Sequence, residues 1–272
     1  MSNIRIASEA LKIIKKKEYE IDGKVIRLPE EAYDEVIVID PSEGKELAAT
    51  DLKPSDRPMC KITVENKDSF EAAATLGYEN VLVMNFANPF NPGGGFRRGG
   101  NAQEESLCRR STLSASLTSK KATEMYWYNH THPSRVESDY MLISPKVCIF
   151  RDEQNEFLEK PAMVGVVTTS APNKLGTAIL AGDRLVSETM IRRIKIMLHC
   201  AIREGYKNLV LGAWGCGYNG NKPQNVSEYF RKVLIDEGYG RYFDQVCFAI
   251  NGKEDNKNIT AFRKTFEKEI SD

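Results

Sequence analysis

Apolar residues recur along this chain in two periods, and their alternation predicts the architecture. Short, nearly continuous apolar runs bounded by turn residues fall at Lys61 to Val64, Val81 to Phe86, Val147 to Phe150, Met163 to Thr168, Leu209 to Ala213 and Val246 to Ile250. That is the pattern of strands covered on both faces. Between them the period changes. Met190, Ile191, Ile194, Met197, Leu198, Ala201 and Ile202 make one apolar stripe on a helix over Ser187 to Arg203, ended by Gly205. Val226, Phe230, Val233 and Leu234 repeat the theme over Val226 to Glu237, with Gly238 after it. Strands alternating with helices from Cys60 onward predict an α/β domain with a parallel or mixed sheet covered on both faces.

Residues 1–59 read as an N-terminal accessory segment and residues 60–272 as the main domain. Ser8 to Lys17 fits an amphipathic helix, Tyr19 to Leu28 alternates around Asp22-Gly23 as a tight hairpin, and Glu35 to Asp40 fits a further strand. The polar run from Ser42 to Pro58, with its prolines, reads as a surface connection.

Composition narrows the function classes. Lys plus Arg and Asp plus Glu each total 38, so no net field draws the whole molecule to a polyanion, and direct DNA binding is not expected. A local basic patch at Arg97 and Arg98 is compatible with that balance. The Met-Ser-Asn start has no apolar signal core and no apolar run reaches the roughly 18 residues of a membrane helix, so a cytoplasmic, non-membrane protein is expected. Six dispersed cysteines without CxxC spacing read as reduced core thiols. His130 and His132 form an HxH pair without a further ligand set, so no metal is expected.

The candidate chemistry gathers in Val81 to Leu117. The apolar run ends in the turn formers Asn88, Pro89, Asn91 and Pro92, followed by Gly93, Gly94 and Gly95. Glycine amides close to a helix start can seat an anion such as a pyrophosphate. Gln103, Glu104 and Glu105 follow, then a run whose Leu113 and Leu117 predict a helix with the acids near its start. Carboxyls beside a phosphate site repel it unless they face its sugar, where one can donate a proton to a glycosidic oxygen and another can accept from ribose hydroxyls. Taken singly, each feature also fits a flexible loop and an ordinary first helical turn. A second glycine-rich loop, Ala213 to Asn221, follows the Leu209 strand; its Gly215, Cys216, Gly217 and Tyr218 combine amides for phosphate oxygens with an aromatic ring. Asp68, after the Lys61 strand, fits a helix cap and a ligand acceptor equally.

These strings resemble a known family. Pro92 to Gly95 (PGGG), seven residues, Gln103 to Glu105 (QEE) and Ser106 to Ser111 (SLCRRS) are similar to the signature of the microbial-type poly(ADP-ribose) glycohydrolases, which are macrodomains. The resemblance runs from about Cys60 to the end, through Asn85 to Gly95, Phe150 to Asp152, Ser170 to Asn173 and Leu211 to Gly217. It implies a macrodomain-like three-layer α/β/α sandwich with a mixed sheet, and hydrolysis of the ribose–ribose O-glycosidic bond of poly(ADP-ribose) with no cofactor.

By the same resemblance, Glu105 is the general acid and then base, which requires it to carry a proton at working pH. Glu104 holds ribose hydroxyls of the leaving unit and Gln103 fixes both acids. The loops at Gly93 to Gly95 and Gly215 to Tyr218 hold the diphosphate, Asp68 receives the adenine amino group, Asn88 touches a ribose, and Asn173 and Arg151 support the site. The implied partners are ADP-ribose, its polymer and ADP-ribosylated proteins, met by a monomer. One departure stands out: where the family reads GCG, a small residue, then Phe, this chain has Tyr218 and Asn219. That keeps open a hydrolase for mono-ADP-ribosylated protein or another ADP-ribose derivative. A non-catalytic ADP-ribose-binding module is the further alternative, against which the paired glutamates argue.

Overall fold

The computed structural model describes residues 2–269. The chain opens with helix α1 (Asn3–Lys16), capped by the Ser2 side chain, and the hairpin β1 (Glu18–Ile21) and β2 (Lys24–Arg27). Asp22 and Gly23 at its tip both have positive φ, at 49° and 81°, as a two-residue type I′ turn requires. Strand β3 (Ile37–Ile39) and helix α2 (Pro41–Ala49) follow, then β4 (Lys61–Glu65), α3 (Ser69–Thr75) and β5 (Val81–Phe86). After the glycine loop come α4 (Gln103–Arg110), α5 (Leu113–Leu117) and α6 (Thr123–Thr131). The long hairpin β6 (Met141–Arg151) and β7 (Phe157–Thr169) leads to α7 (Asp183–Arg203), β8 (Asn208–Leu211), α8 (Pro223–Arg231), β9 (Gln245–Ala249) and α9 (Lys257–Thr265).

Seven strands form one mixed sheet in the order β3-β6-β7-β5-β8-β9-β4. The pairs from β7 to β4 are parallel, and β6 pairs antiparallel with both β3 and β7. Side chains of β5 alternate between two cores: Leu82 and Met84 pack with Met190, Ile194, Phe230 and Phe262, while Val81 and Val83 pack with Phe70, Leu107, Leu117 and Met125. The result is the expected three-layer α/β/α arrangement. The N-terminal segment is woven into it. β3 is an edge strand of the main sheet, and Ala10, Ile13, Tyr19, Leu28 and Tyr33 form a third cluster with Cys148 and Phe150 of β6.

Four local expectations need correction. The Ser42 to Pro58 run is not all connection, because Asp40 caps α2 by accepting from Ser42 N (2.7 Å) and Glu43 N (2.9 Å), and Pro41 supplies a first helical residue that needs no donor. The strand expected at Val147 begins at Met141; Pro145 and Lys146 sit at a bulge that masks the continuity of the apolar pattern. The helix expected over Val226 to Glu237 is α-helical to Arg231 and then widens into a π turn over Lys232–Asp236. Finally, the helix that begins at the acids breaks at Ser111. There the backbone is extended, and Thr112 and Cys148 exchange hydrogen bonds that tie the chain to β6.

Candidate active site

Five parallel strands end on one side of the sheet, and the residues just beyond them line a single cleft of about 1040 Å³. Asp68 follows β4, Asn88 follows β5, Ala171 and Asn173 follow β7, Gly215 to Asn219 (except Cys216) follow β8, and Asn251 follows β9. That is where an open parallel sheet accepts ligands.

The start of α4 carries the acids to the cleft floor. Gln103 holds the helix to the sheet: its Oε1 accepts from Phe86 N (2.9 Å), and its Nε2 donates to Met84 O (2.7 Å) and Ser69 Oγ (3.0 Å). Its side chain thereby ties the start of α4 to β5 and to α3. Glu104 is 2 % exposed and accepts from Asn88 N (2.8 Å) and from Asn85 Nδ2 (3.2 Å) on β5. Burial drives its carboxyl toward the neutral form and the charge of Glu105 adds to that; bonds from Asn88, Asn85 and Gly93 oppose it, leaving a pKa raised to about 8. The proton expected at Glu105 is thus supported at its neighbour. Glu105 Oε1 accepts from Gly95 N (2.9 Å), whereas its Oε2 is buried without a hydrogen-bond partner.

The first glycine loop has a different task from the anion seat expected of it. Gly93, Gly94 and Gly95 stand behind the acids instead of lining the cleft. Gly94, at φ 56°, lies where a Cβ would come within 2.5 Å of Glu105 Oε1 and 3.1 Å of Glu104 Oε2. Only glycine leaves room for both carboxyls and takes that backbone conformation without strain.

The second loop does line the cleft. Gly215 has φ 73° and its missing Cβ would meet Ala171 Cβ at 2.6 Å; Gly217 opens onto free space and Tyr218 is 85 % exposed at the mouth. The Cys216 side chain is buried under the loop, outside the cleft lining, and burial pushes its thiol up to about 12, so what the residue can offer a ligand is its backbone and not its sulfur. Asn219 reaches the lining but turns its amide inward, donating to Ala171 O (2.9 Å), while its carbonyl accepts from Lys174 N (2.8 Å). Asn221 repeats the stitch to Pro172 O (2.8 Å), so the two loops behave as one wall.

Asp68 fulfils its capping role. Oδ1 accepts from Phe70 N (2.8 Å) and Glu71 N (3.1 Å), and Glu71 returns a bond to Asp68 N (2.8 Å). Its Oδ2 meets Arg110 Nη1 at 2.8 Å, inside the cleft wall. Asn88 also lines the cleft, with Oδ1 closing an Asx turn onto Phe90 N and Asn91 N, both at 2.9 Å. Arg151 does not line the cleft: its guanidinium clasps Ile6 O and Glu9 of α1 and lies over the Phe157 ring, while its carbonyl accepts from Arg110 Nε (3.4 Å). Asn173 lines the cleft. Tyr126 is buried in the core, Trp127 is exposed, and Tyr128 stacks on His132 with centroids 4.0 Å apart; none of the three lines the cleft. Among the described residues, no group of three or more His, Cys, Asp or Glu side chains is placed to hold a metal ion, and no helix is long and apolar enough to cross a membrane.

Two residues that sequence reasoning missed complete the cleft. Arg110 lay within the quoted SLCRRS string, but nothing in spacing alone pairs it with Asp68, 42 residues away. Glu137 is 7 % exposed, has φ 58°, and joins Thr177 in the lining through a hydrogen bond to its Oε1. A glutamate in that backbone region gives no sequence signal.

A mixed α/β/α sandwich whose parallel strand ends open onto one cleft, with Glu104 buried and Glu105 half-buried at its floor, is macrodomain-like in architecture. The model of the microbial-type PARG catalytic domain matches residues 7–152. Poly(ADP-ribose) glycohydrolase from Thermomonospora curvata superimposes with TM-score 0.90 at 32% identity, covering 97% of this chain and 99% of that one. The same enzyme bound to the inhibitor ADP-HPD gives 0.88 at 31%, with the same coverage of 97% and 99%. The Deinococcus radiodurans enzyme in complex with ADP-ribose gives 0.81 at 33%, covering 89% of this chain and 99% of that one. A search of curated proteins finds no match. The chain belongs to the microbial-type poly(ADP-ribose) glycohydrolase family.

Proposed function

We propose that this protein hydrolyses the ribose–ribose O-glycosidic bond of poly(ADP-ribose), releasing ADP-ribose, with Glu105 as the acid–base group. The observation that carries the role of Glu105 is its Oε2, buried beside the cleft with no partner, while Oε1 is anchored on Gly95 N. One oxygen fixes the carboxyl and the other is left for the substrate. The bound unit lies with its adenine toward Asp68, its diphosphate along the Gly215 to Tyr218 loop and its distal ribose C1″ at Glu105. As the C1″–O bond breaks, the departing ribose oxygen takes a proton from the Glu104/Glu105 pair through Glu105. Water then adds at C1″ and returns its proton to Glu105. Glu104, held by Asn88 and Asn85, keeps that proton available near neutral pH and accepts or donates at ribose hydroxyls.

A second reading, hydrolysis of mono-ADP-ribosylated protein or another ADP-ribose derivative, is favoured by one observation. Asn219 is folded inward and Tyr218 stands outward, so the ring the family places over the distal ribose is not supplied from position 219. Release of ADP-ribose from polymer by the wild type, its loss in Glu105→Gln, and retained ADP-ribose affinity of that variant would establish the first reading. Binding of ADP-ribose by the wild type without release from polymer would shift the assignment to the second.

A further inference from the structure

We propose that the outer face of α1 and the 3-10 turn Phe96–Arg98 together form a docking surface for the polyanionic chain that continues beyond the unit in the cleft; this deepens the function proposed above and rests on it. Positive and negative side chains balance over the whole sequence at 38 each, so a local excess is a matter of placement. Arg5, Lys12, Lys15 and Lys16 are exposed on α1, and Arg97 and Arg98 are exposed on the turn. None of the six enters an ion pair among the described residues. Glu9, the acidic residue of α1, is taken up by Arg151.

The two elements are contiguous and begin beside the acid. Asn3 Nδ2 donates to Gly99 O (3.3 Å), and Ile4 packs where a Cβ on Gly99 would stand 3.2 Å from its Cγ1. On its other side the same loop touches Glu105: Gly95 N donates to it, and a Cβ on Gly100 would lie 2.9 Å from Glu105 Cγ. Asn3 itself lines the cleft. Arg5, Lys12 and Lys16, at i, i+7 and i+11, share a stripe that runs roughly 16 Å away from that end.

The chemistry fits a chain of repeated diphosphates. A polymer leaving C1″ emerges at Glu105, where the cleft is acidic, and the cations lie just outside. Neutralising its phosphates releases counterions, which gives affinity that depends on chain length and salt. Lys15 and Lys16 also complement the negative C-terminal end of α1, so they alone do not argue for a ligand. Arg5 and Lys12 have no such role; Arg97 and Arg98 end only a single 3-10 turn, where Arg97 lies 5.6 Å over the Phe96 ring.

The test compares binding of ADP-ribose and of length-defined poly(ADP-ribose) to Glu105→Gln protein, with and without Arg5→Gln, Lys12→Gln, Arg97→Gln and Arg98→Gln together, across a salt series. ADP-ribose affinity should be unchanged. Polymer affinity should fall tenfold or more, and the slope of log K against log salt should flatten by about 2 to 3, at ~0.7 per phosphate contact. Arg97→Gln with Arg98→Gln alone, which leaves α1 intact, should give a smaller loss in the same direction and covers the case of a misfolded quadruple variant. Unchanged polymer affinity and slope would overturn the proposal, as would equally tight binding of a single-stranded oligonucleotide of matched charge. A wild type that releases nothing from polymer would overturn the proposed reaction, whereas these binding outcomes would still decide the surface.

Discussion

Arg110, in the last turn of α4, donates to Asp68 Oδ2 across 2.8 Å, which locks the helix that carries the acids to the start of α3. The Arg110 side chain is 3% exposed and that of Asp68 is 16%. Removing one member of such a pair leaves a buried charge unpaired, at a cost of about 3 to 5 kcal/mol. Arg110→Met is therefore expected to lower unfolding free energy by about 3 kcal/mol and to weaken ADP-ribose binding, because Asp68 then moves on its cap. Asp68→Asn keeps the Oδ1 cap but faces Arg110 with an amide donor in place of Oδ2, so it should lose a comparable amount of stability. A denaturant titration alongside calorimetric ADP-ribose binding checks this; an Arg110→Met protein as stable as wild type would remove the pair from the account.

Glu104 gives a pH dependence of definite sign. Its folded pKa of about 8 lies above the ordinary 4.5, so the folded chain holds a proton that the unfolded chain releases. Its contribution to stability is whole below pH 4.5 and is lost as pH rises to about 8, at up to ~1.4 kcal/mol per pH unit. Glu104→Gln should flatten this slope. In catalysis the pair loses its proton over the same upper range, so kcat/KM should fall on the alkaline side with an apparent pKa near 8. A pH–rate profile level from about pH 6 to 9 would contradict the shared-proton account.

How much of this was legible in the sequence differs by element. β5 was read to the residue because its apolar run is covered on both faces and ended by turn formers. The acids at a helix start were equally plain. The break at Ser111 was hidden, since the Leu113 and Leu117 spacing suits a helix and only pairing with β6 pulls the backbone straight. Glycines announced a tight loop without saying what approached it. A phosphate and a neighbouring carboxylate both favour the same bare amides, and the choice between them is made by tertiary geometry at Gly94 and Gly95. Glu137 and Arg110 find their partners only across long sequence separations.

Asn219 tests whether the two cleft loops act as one wall. Its amide bond to Ala171 O and the return bond from Lys174 N join the loop after β8 to the loop after β7. Asn219→Ala deletes the first of these, worth about 1 kcal/mol net, and should weaken ADP-ribose binding several-fold with a small change in melting temperature. Asn219→Phe restores the ring type of the family but breaks the same stitch, so it should not raise affinity. An Asn219→Phe protein that binds ADP-ribose more tightly than wild type would show that the loop adapts to the ring.

Gly94 separates two tasks that glycine-rich loops share. If the loop shelters the acids, a methyl group at Gly94 collides with Glu105 Oε1, 2.5 Å from the added Cβ, and with Glu104 Oε2 at 3.1 Å, while the ligand side of the cleft is untouched. The φ of 56° adds backbone strain of order 1 kcal/mol for any residue with a side chain. Gly94→Ala is then expected to lower kcat by about a hundredfold or more, since a misplaced acid forfeits most of its proton-transfer advantage, with ADP-ribose affinity close to that of wild type. If the amides of this loop instead cradled phosphates, affinity would fall together with kcat. Measuring both constants on the one variant distinguishes the loop as a holder of carboxyls from the loop as a holder of ligand.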